Sequence, residues 1–218
     1  MVIIWTLSVV PILLYARGYG VPIKRQNMEI TEILMMVVIG FWVYIPAMLP
    51  NSNAALIGGG TPVDFGKSWK GQRILGDGKT WRGFIGGALS GVLIGILMIG
   101  ISVLCGSEDH WGFGPSWADN IGLLFCMSFG SLIGDMMGSF VKRRLGIGRG
   151  AKAPLLDQFD YVVGSFLLMA IFYPGWVYST YFEGYHIIVF VMLLLFVYAS
   201  HRIVNIIGYK MGVKDEPW

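Results

Sequence analysis

Long uncharged apolar runs constrain this chain more than any other feature. A helix crossing a bilayer needs roughly 17–25 mostly apolar residues at about 1.5 Å of rise each. Six apolar segments stand out, at residues 2–16, 30–49, 84–104, 121–141, 161–176 and 186–207. The second, third, fourth and sixth are long enough to span. The fifth is shorter and ends in Tyr173-Pro174-Gly175-Trp176, an interface pattern, and the first is marginal. Charged residues make up 13% of the 218, where about 25% is usual, so a soluble domain would lack a charged surface. The expected fold is an all-α polytopic transmembrane helix bundle. It has a five-span catalytic core, an extra N-terminal helix, and two glycine-rich basic loops on the cytoplasmic side.

Charge placement sets the expected sidedness. Residues 51–82 carry Lys67, Lys70, Arg73, Lys79 and Arg82, and residues 142–160 carry Lys142, Arg143, Arg144, Arg149 and Lys152. Residues 106–120 hold Glu108, Asp109 and Asp119 with no lysine or arginine, and residues 177–185 hold Glu183 alone. Basic loops favour the cytoplasmic side, so the first two connections are expected inside and the last two outside. Arg17, Lys24 and Arg25 follow the first segment on the side where this rule disfavours them. Residues 1–27 are therefore set apart from a core at 28–218, which is expected to work without them. A net charge of +3 is too small to suggest nucleic acid as a partner. Cys105 and Cys126 make no CxxC or zinc spacing and leave the redox compartment open.

Glycines punctuate two spans. Gly130, Gly134 and Gly138 lie four apart on one helical face, as do Gly87 and Gly91 in the preceding segment. Small faces let backbones approach where no hydrophobic force drives helices together, so these two helices are expected at the centre.

The chemistry-bearing residues cluster at the ends of the spans. Asp135 lies inside an uncharged run, where a carboxylate is costly and usually functional. Steps of four and three place Ser139 and Lys142 on its face, with Arg143 two turns above it. A snorkelling Lys142 would also serve to neutralise Asp135. Asp157 and Asp160 open the fifth segment, three apart and facing the same way. Either suits a helix N-terminus, and with Asp135 the three make a set for a hard cation such as Mg²⁺, which shares oxygens with substrate phosphates. Between them, Gly146-Ile147-Gly148-Arg149-Gly150 offers exposed amides among basic side chains, suited to polyphosphate or to anionic lipid headgroups. Gly76-Asp77-Gly78-Lys79-Thr80 echoes a phosphate loop without its strand-and-helix context, yet its glycines, lysine and following helix N-terminus suit phosphate. Asp64 is expected to brace this loop. Histidines 110, 186 and 201 receive no chemistry.

These stretches resemble the archaeal CDP-archaeol synthase family of CTP-dependent membrane cytidylyltransferases. The resemblance runs from about residue 30 to 218. It rests on Gly58-Gly59-Gly60-Thr61-Pro62-Val63-Asp64, Leu75 to Gly83, Ser139-Phe140-Val141-Lys142-Arg143, Pro154-Leu155-Leu156-Asp157-Gln158-Phe159-Asp160 and the tail. The broader phosphatidate cytidylyltransferases are similar, with an arginine where this chain has Gln158. The resemblance implies transfer of a cytidylyl group from CTP to 2,3-bis-O-(geranylgeranyl)-sn-glycerol 1-phosphate, with Mg²⁺ as cofactor and pyrophosphate released. The enzyme would sit in the cell membrane with its active-site loops cytoplasmic. The expected catalytic residues are Asp135, Asp157, Asp160 and Lys142, the three aspartates also holding metal. Asp77, Lys79, Thr80, Ser139, Arg143 and Arg149 are expected to bind nucleotide or phosphate. A phosphotransferase moving CDP-linked headgroups would show a longer aspartate pattern that is absent here. A transporter or scaffold would account for the spans but leave the acids beside basic loops without a purpose.

Overall fold

The computed structural model describes residues 29–107, 111–148, 151, 153 and 155–210. Residues 1–28, with the marginal first segment and its basic loop, lie outside the described residues, as do Arg149 and Lys152. The helices are α1 (Ile30–Met48), α2 (Pro50–Ile57), α3 (Trp81–Leu104), α4 (Trp117–Arg144), α5 (Leu156–Phe172), α6 (Pro174–Tyr181) and α7 (Ile187–Lys210). A short hairpin of β1 (Ser68–Trp69) and β2 (Gln72–Arg73) lies between α2 and α3. The chain is an all-α polytopic membrane bundle apart from that hairpin.

By length and composition, three stretches among the described residues are long and apolar enough to cross a membrane. They are Ile30–Ile57 (28 residues), Trp81–Leu104 (24) and Trp117–Arg144 (28). A fourth candidate is a broken one, Pro174–Tyr181 with Gly184–Ser200, bent by 83°. Two expected connections are in fact helical. Residues 51–57 continue the first described span as α2, because Pro50 sits at the first helical position, where a missing N–H costs nothing. Residues 177–181 belong to α6 for the same reason, with Pro174 opening it, and a 3-10 turn follows at Gly184–His186. At 17 residues, α5 sits at the lower edge of spanning length.

Helix α4 is central. It packs most closely on α5, then on α3 and α1. Glycine makes this possible. A methyl group on Gly134 would collide with the Asp160 carbonyl, and one on Gly164 with the Gly130 carbonyl. On α3, a methyl on Gly87 would meet Pro50 O at 2.7 Å and one on Gly91 would meet Ser128 Oγ at 2.6 Å. The buried interior holds Tyr44, Leu123, Leu124, Met127, Met169 and Tyr181, while α3 presents Leu89, Leu93 and Leu97 outward. In water such a face would be a liability, whereas hydrocarbon solvates it. The hydroxyls of Tyr44 and Ser165 satisfy each other at 2.6 Å in that interior. Cys105 is exposed, Cys126 is buried, and both are free thiols.

Candidate active site

The connection between α2 and α3 is a folded unit built around one carboxylate. Lys70 and Gly71 both take positive φ, the two-residue turn that matches the twist of hairpin strands. Asp64 Oδ1 accepts from Gly66 N, and Asp64 Oδ2 accepts from Leu75 N and Gly76 N, each at 3.0 Å. The Arg73 guanidinium adds a 2.7 Å contact to Oδ1. Burial on its own would raise the Asp64 pKa, but Arg73 and the three amides outweigh it and hold the carboxyl below the usual carboxylate range. The base of the loop is zipped by Val63 N to Lys79 O (2.8 Å) and Trp81 N to Thr61 O (3.1 Å). That zipper fixes where Lys79 leaves the loop.

Two arginines dock this unit on α4. Lys142, Arg143 and Arg144 fill the last turn of α4, where positive charge suits the helix dipole. Arg144 sits over the rings of Trp69 and Phe140 and donates to Trp69 O (2.6 Å) and Arg73 O (2.8 Å). Arg143 donates to Ile147 O at 2.6 Å and lies against Gly76, whose φ of +98° favours glycine.

Docking brings Lys79 to Asp135 on α4, Nζ to Oδ2 at 2.5 Å. A second pair joins Lys142 on α4 to Asp157 on α5, Nζ to Oδ1 at 2.5 Å. Asp157 Oδ2 also accepts from Ala153 N at 3.0 Å, where the chain turns into α5 through Leu155 at φ +67°. Asp160 is buried against Gly138, and its Oδ1 accepts from Tyr161 N at 2.7 Å. The charges of Asp135, Lys79 and Lys142 all act on it. Asp135, Asp157, Asp160, Lys79 and Lys142 thus meet at one end of the bundle.

The other expected residues have different placements. Thr80 is buried and caps α3, its Oγ1 accepting from Gly83 N at 3.1 Å. Ser139 is buried within α4. Asp77 is exposed and pairs with Arg73 at 2.5 Å. Arg149 lies outside the described residues.

The sequence leads one to expect Asp135, Asp157 and Asp160 around one ion. Among the described residues, no three acidic, histidine or cysteine side chains group around a common point. Asp157 is drawn off by Lys142 and by the Ala153 amide. Asp135 and Asp160 remain close enough for their charges to repel. Mg²⁺ is commonly held by one or two carboxylates plus substrate phosphates, so an ion here would not require all three.

A small cavity opens beside Lys79 and Asp135. Thr80, Phe84 and Asn51 also line it. Nothing in the sequence singles out Asn51, a polar residue following a proline at the end of an apolar run. Its Oδ1 is buried with no hydrogen-bond partner. An unmet buried acceptor costs about 1–3 kcal/mol, a cost that a bound donor relieves. Arg73 and Arg144 also went unassigned. The basic patterning flagged them, but nothing in it showed which backbone carbonyls or carboxylates they would meet.

The fold and this junction define a multi-pass membrane protein that gathers acids and bases at one end of its bundle. A family model described as CarS-like, CDP-archaeol synthase, matches residues 30–218. A CDP-archaeol synthase of Methanoculleus marisnigri is 45% identical over 175 residues, 80% of this chain and 99% of that protein. One of Methanospirillum hungatei is 47% identical over the same shares. A solved structure described as an intramembrane enzyme for archaeal membrane lipid biosynthesis is 31% identical. It covers 77% of this chain and 93% of its own, with a TM-score of 0.47. The chain belongs to the CDP-archaeol synthase family.

Proposed function

We propose that this chain transfers a cytidylyl group from CTP to a lipid phosphate, giving CDP-unsaturated archaeol and pyrophosphate. Family membership supports the reaction class. The geometric observation that carries the site is the meeting of Lys79–Asp135, Lys142–Asp157 and Asp160 where α3, α4 and α5 come together. We take the lipid to be 2,3-bis-O-(geranylgeranyl)-sn-glycerol 1-phosphate and the cofactor to be Mg²⁺.

An oxygen of the lipid phosphate attacks the α-phosphorus of CTP, and the bond from that phosphorus to the bridging oxygen of the β-phosphate breaks. A phosphate is already ionised near neutral pH, so the residues need not supply a strong base. Their task is to neutralise two anions and align them in line. Asp135 and Asp160 would hold Mg²⁺, which supplies charge neutralisation along the CTP phosphates. Lys79 and Lys142 leave their carboxylates to take phosphate oxygens, exchanging one anionic partner for another. Arg143, Thr80 and the Gly76-Asp77-Gly78 turn shape the loop that presents Lys79. Asp157 steadies the entry to α5 and keeps Lys142 in place before substrate arrives.

The catalytic core is residues 28–218. Five helices cross, with α5 as a short span, and the junction faces the cytoplasm, where CTP is found and basic loops prefer to lie. The test is pyrophosphate release from purified protein in lipid vesicles. Release requires CTP, lipid phosphate and Mg²⁺ together. Release without the lipid phosphate would reject the assignment.

A further inference from the structure

We propose that Arg144 is a positioning residue for cytidylyl transfer, setting where Lys79 stands by clamping the β1–β2 hairpin to the last turn of α4. The proposal rests on the assignment of Lys79 to phosphate above and extends it to a residue that works through the protein. Arg144 is the last residue of α4. Its terminal nitrogens are directed at the hairpin backbone. Nη1 donates to Trp69 O at 2.6 Å, and Nη2 donates to Arg73 O at 2.8 Å and to Gln72 O at 3.3 Å. The same guanidinium lies over two rings, 5.1 Å from the centroid of Trp69 and 5.4 Å from that of Phe140. Those rings stack on each other at 6.0 Å, 12° from parallel, and Phe140 sits one turn before Arg144 on α4. A planar fork that donates at its edge and stacks on its face fixes position and orientation together.

The clamped strand leads to Lys79 through a braced loop. Arg73, whose carbonyl Arg144 holds, grips Asp64 at 2.7 Å and Asp77 at 2.5 Å with its own guanidinium. Asp64 in turn accepts from Leu75 N and Gly76 N. Lys79 N donates to Gly76 O at 3.3 Å, and Lys79 O accepts from Val63 N at 2.8 Å. A loop tied in this way passes a shift of the hairpin on to Lys79 instead of absorbing it. Lys79 then meets Asp135, which stands on the same helix that Arg144 ends. Asp135 and Arg144 are about 14 Å apart along α4 at 1.5 Å of rise per residue. The loop is therefore pinned to one helix at two separated points, and the second point sets the approach of Lys79 at the first.

The test is a double-mutant cycle on kcat/KM for CTP, with saturating lipid phosphate, over wild type, Arg144→Ala, Lys79→Ala and the double variant. Arg144→Ala should lose on the order of 10²-fold, the scale on which misplacing a reacting group slows a reaction. In the Lys79→Ala background the same change should cost no more than about threefold, because a residue that acts through Lys79 has nothing left to place. Losses that multiply overturn the proposal, since Arg144 would then act independently of Lys79. Arg144→Lys should stay within about threefold of Arg144→Ala, because one ammonium cannot serve three carbonyls and two rings. Full recovery by lysine overturns the proposal too, marking Arg144 as a charge for phosphate. Hydrogen exchange over residues 62–78 should rise in both Arg144 variants, and unchanged exchange there overturns the clamp. Should Arg144→Ala fail to fold, Arg144→Lys carries the same cycle with the same expectation. A wild type that releases no pyrophosphate from CTP and lipid phosphate, or a Lys79→Ala protein as active as wild type, fails the parent reading and this proposal with it. Losses that multiply in an active protein fail the role of Arg144 alone.

Discussion

The two ends of the bundle solve the same problem with different chemistry. Each must satisfy backbone groups in a segment that is neither helix nor long strand. At the α3–α4–α5 junction the partners are charged. Arg143 and Arg144 take the carbonyls of Ile147, Trp69 and Arg73, while lysines hold the carboxylates. Among the described residues at the opposite end, the partners are neutral. Trp42 Nε1 donates to Trp111 O at 3.1 Å, Trp176 Nε1 donates to Phe113 O, and Asn120 Oδ1 accepts from Gly114 N at 2.6 Å. Neutral hydrogen bonds hold a segment and offer little to a polyanion. Ion pairs hold it as well, but each lysine can trade its carboxylate for a phosphate at small net cost. The junction is thus held by charges of the kind a polyanion can also engage.

The largest expected effect falls on the carboxylates. Asp135→Asn and Asp160→Asn should each reduce turnover by roughly 10³-fold, as expected when a group that sets charge at the reacting phosphates is removed, while the protein stays folded by size-exclusion chromatography. Near-normal activity in both would break the comparison, since the charged end would then be scaffolding like the neutral one. Next come Lys79→Ala and Lys142→Ala, each expected to lower kcat/KM by about 10²-fold. The two differ in a useful way. Lys142→Ala also strips Asp157 of its partner, so it should lose more thermal stability than Lys142→Arg. A CTP complex with phosphates remote from both lysines would refute their assignment.

Much of this was legible in the sequence, and the limits have physical causes. The central placement of α4 followed from Gly130, Gly134 and Gly138, because close approach demands small residues at helical spacing. The pairing of Asp135 with Lys79 was out of reach, since it depends on how residues 58–80 fold back onto α4. Helical spacing linked Asp135 to Lys142, yet Lys142 chose Asp157 across the connection. Local spacing gives the faces of a helix and says nothing about which neighbour arrives there. For the same reason α2 and α6 were read as connections. Their apolar content is broken by Pro50 and Pro174, which open helices as readily as they end them. Asn51 carried no signal at all, because an orphaned acceptor is a property of the packed state.

The loop brace gives a prediction with a defined pH sign. Because Asp64 is held below the usual carboxylate range, its contribution is complete above the unfolded value near 3.9. It is lost only as pH falls through the lower folded value. Hydrogen exchange over residues 62–78 should therefore be as protected at pH 4 as at pH 7, once corrected for intrinsic rates. Asp64→Asn should lower local stability by about 2–4 kcal/mol at both, since one charged acceptor serves three amides and a guanidinium. Loss of wild-type protection already at pH 4 would show that the carboxylate titrates normally and that the loop is held by other contacts.

The smallest effect should come from the neutral end, and it sharpens the contrast most. Trp176→Phe keeps a ring to pack near Tyr181 but removes the N–H that reaches Phe113 O. One neutral hydrogen bond is worth about 0.5–1.5 kcal/mol, so the melting temperature in detergent should fall slightly. Turnover with CTP should stay within about twofold of wild type, because the lost donor carries no charge and touches no residue of the junction. Both ends nevertheless pack on α4, which runs from Trp117 to Arg144 between them. If Trp176→Phe lowered kcat while leaving the melting temperature unchanged, the two ends would be coupled through that helix. The neutral end would then tune catalysis instead of only closing the bundle.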